Sequence, residues 1–186
     1  MYRVVIIFFV SILSGCKLLP PNFINQDNSV VVNNPDVSVE IDENYSYLGE
    51  FEFSDYLQYS NSLGGTTHNG DGLVFYNPKD KSFVTLKKKT CNRCVFDREA
   101  IPNVIKIDRN VFNKYKGRFR LSTDTESETK LLALMQSTDD SITTETIFNY
   151  KEYSYASGKE YFQLRVIYNG GKPSVEVDNI VRIVAI

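Results

Sequence analysis

From Tyr45 to the C-terminus the chain is a series of short apolar and aromatic runs, each stopped by a turn sequence, and this restricts it to β structure. Tyr45 to Phe53 (YSYLGEFEF) alternates as a strand does. Leu73 to Tyr76 and Phe83 to Leu86 flank Asn77-Pro78-Lys79-Asp80, which predicts a hairpin. Val104 to Ile107 is a further strand. Asp108 to Tyr115 (DRNVFNKY) predicts one or two helical turns, capped by Asp108 and ended by Gly117, before a strand resumes over Arg118 to Leu121. Lys130 to Gln136 has helix-forming residues but no clean apolar face, and stays ambiguous. Tyr161 to Tyr168 and Ser174 to Val177 flank the turn sequence Asn169-Gly170-Gly171-Lys172-Pro173, and Ile180 to Ile186 is a last strand, apolar enough to be covered on both faces. The 12 Tyr and 12 Phe suit half-buried strands. The expected fold is mainly β: a small antiparallel barrel or sandwich with one or two short helices, occupying residues 45–186.

The N-terminus is of another kind. Arg3 is the only charge ahead of a ten-residue apolar run, Val4 to Leu13, followed by Ser14, Gly15 and Cys16. A positive start, an apolar core and a small-residue exit are the parts of a secretory signal peptide. The run falls short of the roughly 20 residues a membrane helix needs, although an anchor or a buried helix is the alternative. Leu13-Ser14-Gly15-Cys16 resembles the lipobox of bacterial lipoproteins. That resemblance implies a signal peptide over 1–15, cleavage between Gly15 and Cys16, a diacylglyceryl group on the Cys16 thiol and an acylated new amino terminus. Several acyl chains together make a stable anchor where one does not. Losing 15 of 186 residues leaves 171, and loss of Arg3 takes the net charge from −2 to −3. By the same family's sorting rule, Lys17 in place of aspartate favours the outer membrane of a double-membraned cell, with the domain in the periplasm or elsewhere in the envelope.

Residues 16–44 are rich in Asn, Asp and Pro, with Pro20, Pro21 and Pro35 among them, and are expected to form a flexible tether. The VVV and VSVE segments inside it are the places where an edge strand could form. The order Val104-x-Ile-x-Ile-Asp108, short helix, Tyr115 to Arg120 and a terminal Val175-x-Val177-Asp178-x-Ile180 resembles small OB-type barrels of exported proteins. In those a glycine-bearing strand bends around the barrel and a VD-x-I strand closes it.

Cys91-Asn92-Arg93-Cys94 is the motif with reactive side chains. In an oxidising compartment, with Cys16 lipidated, Cys91 and Cys94 are left as an even pair and are expected to bridge. A redox-active pair, with Arg93 lowering a thiol pKa, is the alternative, against which stands the lack of a βαβ context. Metal binding needs more ligands than two cysteines, and His68 is the single histidine, so no metal or other cofactor is expected. Gly64 to Gly72 (GGTTHNGDG) lacks the spacing of a phosphate or calcium loop and reads as a mobile surface loop; His68 has no strained serine beside it to make a triad. Lys87-Lys88-Lys89 reads as a solvated strand end, and Asp124 to Glu128 and Asp139 to Glu145 as exposed loops. Asp139-Asp140 is not taken as an acid–base pair, and no catalytic constellation emerges.

A pI of about 5.5 argues against nucleic acid as a partner. The functional expectation is a lipid-anchored, non-enzymatic β domain of the cell envelope, held to the membrane through Cys16 and acting through contacts with an envelope protein. A module that binds a small ligand or glycan is the alternative, and a thiol–disulfide protein comes after it.

Overall fold

The computed structural model describes residues 22–58, 64–91, 93–96, 103–169 and 177–186. Gly15, Cys16 and Lys17 lie outside the described residues, as does most of the expected strand over Ser174 to Val177 with the turn before it.

Among the described residues, eleven strands form two antiparallel sheets. The small sheet has the order β1 (Phe23–Gln26), β2 (Ser29–Val32), β3 (Val37–Ile41), β11 (Val181–Ala185). The large sheet comprises β4 (Ser46–Gln58), β5 (Gly65–Asn77), β6 (Ser82–Cys91), β7 (Val104–Ile107), β8 (Asn110–Phe119), β9 (Phe148–Ser157) and β10 (Glu160–Asn169), and runs β4-β5-β6-β10-β9-β8-β7. Neither sheet closes on itself, so the mainly β expectation takes the form of a sandwich.

Strand alternation divides the core in two. Val30, Val32, Val37 and Val39 of the small sheet pack against Phe75, Val84, Leu86, Phe112, Phe162 and Leu164 of the large one. The opposite face of the large sheet sends Phe51, Phe53, Val74, Phe83, Phe148 and Ile167 under helix α1 (Glu126–Gln136), which contributes Leu131, Leu132 and Met135. The ambiguous Lys130 to Gln136 is the last part of this helix. Thr125 caps its N-terminus, accepting from the Glu128 N–H at 3.3 Å, so the expected exposed loop over Asp124 to Glu128 is largely a helix start.

Several expectations are corrected. The tether contains β1, β2 and β3 from Phe23 onward, because Val30, Val32, Val37, Val39 and Ile41 keep a strand period through the polar residues between them. Asp108 is a turn residue, not a helix cap: its φ of 50° turns β7 into β8, and Asn110 to Phe119 is strand throughout. Gly64 to Gly72 is no loop beyond its first residue, since β5 begins at Gly65. β11 is an edge strand paired with β3 alone, with Arg182 and Ala185 exposed, so it is not covered on both faces. The expected closing strand instead enters helix α2 (Val177–Ile180). Asp139 stays in a loop, where hydrogen bonds from Ser141 and then Lys81 hold its carboxyl down at about 2.

Candidate functional site

Helix α1 covers one end of its face of the large sheet. At the other end the strands carry polar and aromatic side chains: Lys87 and Lys89 on β6, Tyr161, Gln163 and Arg165 on β10, Glu152 and Ser154 on β9, Asn113 and Tyr115 on β8. The Lys87-Lys88-Lys89 run is therefore no solvated strand end. Lys88 is 3% exposed and faces the small sheet, while Lys87 and Lys89 are half-buried on the α1 side.

A recess of about 370 Å³ opens here, lined by Phe96, Asn113, Tyr115, Ser154, Ala156 and Tyr161. Asn113 is 6% exposed, and its Oδ1 has no hydrogen-bond partner among the described residues. An orphaned buried amide oxygen costs about 1–3 kcal/mol. Tyr161 joins this recess to a smaller one of about 60 Å³ against Asp55, Lys87, Lys89, Ser127 and Gln163. The Tyr161 hydroxyl donates to Glu152 Oε1 at 3.3 Å, and burial pushes its pKa up to about 12. Glu152 also pairs with Arg165 at 2.6 Å, whose guanidinium lies 5.0 Å from the Tyr150 ring centre. The Lys89 ammonium sits 4.8 Å from the centre of Tyr161 and 5.4 Å from that of Phe96, a cation held by ring faces.

Lys87 and Lys89 have no ion pair among the described residues. Lys87 donates to Ser127 Oγ at 3.4 Å, and burial, with Arg165 adding to it, lowers its pKa to about 8. The unfolded chain holds that proton up to the ordinary 10.5, so between these values it binds more protons than the fold and stability rises with pH. Lys87→Met is expected to stabilise the protein by about 1 kcal/mol at pH 7, solvent screening allowed for, with the gain shrinking as the pH passes 8. Paired denaturant titrations of variant and wild type at pH 7 and 10 check it.

Cys91 and Cys94 are joined as a disulfide with Cα atoms 5.6 Å apart, on the loop that carries Phe96 to the rim of the recess. The pair stands at the end of β6, and residues 93–96 are not helical, unlike the start of a thioredoxin-type helix. What sequence reasoning missed is its neighbour. His68 on β5 lies directly across from Cys91, and its Nε2 is 3.6 Å from Cys94 Sγ. Thr66 Oγ1 is 3.1 Å from Cys91 Sγ. Burial, and secondarily the Lys89 charge, lowers the His68 pKa, so the ring is neutral at pH 7. Its Nδ1 is buried without a partner among the described residues. The signal was available: His68 stands as far before Asn77 as Cys91 stands after Ser82, and the hairpin turn lies between those two paired residues.

A third recess, about 330 Å³, lies between β1 and the β4–β5 pair and carries Glu50, Glu52 and Asp71; Asp71 already accepts from Asn22 Nδ2. Among the described residues no helix is long and apolar enough to cross a membrane.

No family model and no curated protein matches the chain. A solved structure from Bacteroides thetaiotaomicron VPI-5482 is similar at 10% identity with a TM-score of 0.38, over 85% of this chain and 48% of that one. The chain thus spans about half the length of that protein.

Proposed function

We propose that the protein is a lipid-anchored component of the cell envelope whose β domain works by binding, with the recess at Asn113 and Tyr161 holding a small polar ligand of the saccharide class. The mixed aromatic and polar lining of this recess carries the reading. Lined by Phe96, Tyr115 and Tyr161 together with Asn113 and Ser154, the recess offers ring faces for sugar C–H groups and polar side chains for sugar hydroxyls. The anchor is Cys16, after cleavage behind Gly15, and Lys17 directs the protein to the outer membrane by the lipoprotein sorting rule. The recess is lined by aromatic, amide and hydroxyl groups, which suit recognition of a sugar.

The chain has no Trp, so its intrinsic fluorescence comes from tyrosine, and Tyr115 and Tyr161 in the recess report on occupancy. Titration with a panel of neutral and amino-sugar oligosaccharides should change that signal. Asn113→Ala and Tyr161→Ala should each weaken the response about tenfold. Unchanged affinity in both variants, or no oligosaccharide that binds, would overturn the saccharide reading. In cells, Cys16→Ala should leave the protein unprocessed and lost from the membrane fraction; firm membrane attachment in that variant would overturn the anchor.

A second reading, contact with an envelope protein, is favoured by β4. It is an edge strand of the large sheet and exposes Tyr47, Tyr56 and Leu57, with Tyr56 at 62%. Crosslinking in living cells at Tyr56 would capture that partner.

A further inference from the structure

We infer that reduction of the Cys91–Cys94 disulfide converts this corner of the fold into a Zn²⁺ site with Cys91, Cys94 and His68 as ligands. The Sγ atoms and a ring nitrogen of His68 lie within 4.8 Å of one another. Thiolates and imidazoles around a tetrahedral Zn²⁺ sit about 2.0–2.3 Å from the ion, and therefore within that spread of each other. The two cysteines have the C-x₂-C spacing with which one turn of chain offers two sulfurs to one ion. The third ligand comes from another strand and is fixed by β-sheet register, since His68 stands directly opposite Cys91 across the β5–β6 pair. His68 and Cys91 are buried and Cys94 is half-buried, so the site is walled by protein and reached from the Cys94 side. Phe96 packs edge-on against the imidazole with ring centres 5.1 Å apart, which holds the ring in place. Thr66 Oγ1, at 3.1 Å from Cys91 Sγ, is placed to donate to the thiolate. Three protein ligands leave the fourth position to water or to a ligand.

The chemistry balances as two steps. A dithiol reductant gives two electrons and two protons to the Sγ–Sγ bond and leaves as its own disulfide, and the protein then carries two thiols. Zn²⁺ next displaces both thiol protons, which pass to solvent, and forms two Zn–S bonds and one Zn–N bond. The oxidised protein has only His68 to offer, so metal binding follows the redox state of the pair. This is independent of any ligand in the Asn113 recess.

Co²⁺ serves as the spectroscopic probe. The full-length Cys16→Ser chain keeps Cys91 and Cys94 as its only thiols. After reduction with a phosphine and removal of the reductant, it should take up one equivalent of Co²⁺ with thiolate-to-cobalt charge-transfer bands, and excess Zn²⁺ should bleach them. The oxidised protein should show none. In the reduced state His68→Ala should weaken Co²⁺ binding by roughly tenfold or more, and Cys94→Ser should abolish the bands. Zn²⁺ should raise the melting temperature of the reduced protein and leave that of the oxidised protein unchanged, a readout that holds even where a variant folds poorly. Absence of the bands in the reduced protein would overturn the site, and so would His68→Ala binding as tightly as the parent.

Discussion

Gly70→Ala is expected to destabilise the protein by about 3 kcal/mol or more, at the upper end of what a single methyl in a filled space costs. Gly70 lies on β5 opposite Phe53 of β4 on one side and Lys89 of β6 on the other. A Cβ there would run into the backbone carbonyl oxygen of Lys88, and would stand 2.9 Å from Lys89 Cα and 2.7 Å from Phe53 Cζ. The ring can turn away, but the Lys88 and Lys89 backbone cannot without opening the β5–β6 ladder. Gly72 is two residues on and on the same face, and the three atoms nearest to a Cβ there all belong to the Phe51 ring. Gly72→Ala should therefore cost less than Gly70→Ala, because a side chain and not a strand has to yield. Gly158→Ala is the contrasting control. Its φ is +58° and nothing lies within 4 Å of its added Cβ, so the cost is that of the left-handed backbone alone, about 1 kcal/mol. Denaturant midpoints should rank the three with Gly70→Ala lowest. A Gly70→Ala protein within 1 kcal/mol of wild type would mean that β5 and β6 do not approach as described.

The same glycines show how far the fold was legible. A segment reading GGTTHNGDG has the composition of a loop, and composition wins when one segment is read alone. Gly70 and Gly72 are two residues apart, and so are Phe51 and Phe53 in the strand before them. Paired across a ladder, each ring covers a glycine, and the loss of side-chain packing on β5 is made good from β4. A local reading cannot see a compensation supplied from another strand. The hairpin at Asn77 was legible because its turn chemistry is local, and the helix over Lys130 to Gln136 was half legible because its cap, Thr125, lies outside the apolar run. The strands of the small sheet failed for the opposite reason: Asn, Asp and Pro in their turns hid the alternation of Val30, Val32, Val37 and Val39. At the candidate site, the cysteine pair is visible from spacing. His68 required the hairpin register, and the recess required the order β6-β10-β9-β8, in which residues more than 40 apart become neighbours. Strand order is set by the packing of whole faces, and no single segment states it.

Lys88→Ala should cost about 2–4 kcal/mol, because Lys88 ties the two sheets together by a polar contact inside an apolar interface. Its side chain is almost fully buried on the face of β6 that looks at the small sheet. The ammonium is 3.3 Å from Glu160 Oε2 and donates to the carbonyl oxygen of Asn33, in the turn between β2 and β3. Asn34 Nδ2 donates to the same Glu160 oxygen, so one carboxylate of the large sheet holds a lysine of its own sheet and an amide of the other. Removing the lysine takes away its packed methylene stem as well as the charge, and leaves Glu160 with one polar partner fewer. Lys88→Met keeps most of the stem and should cost about half as much. The double variant Lys88→Met/Glu160→Gln removes the charge on both sides and should be more stable than the two single losses added together, by about 1–2 kcal/mol of coupling. Glu160 is 31% exposed on its side chain, so an unpaired carboxylate there can turn to water, and Glu160→Gln alone should be milder than Lys88→Met. Additive single variants would mean that Lys88 and Glu160 do not act as a pair, leaving the lysine its stem and its bond to the Asn33 carbonyl. The sheets would then be held by Val30, Val39, Phe162 and their neighbours without help from the Glu160 carboxylate.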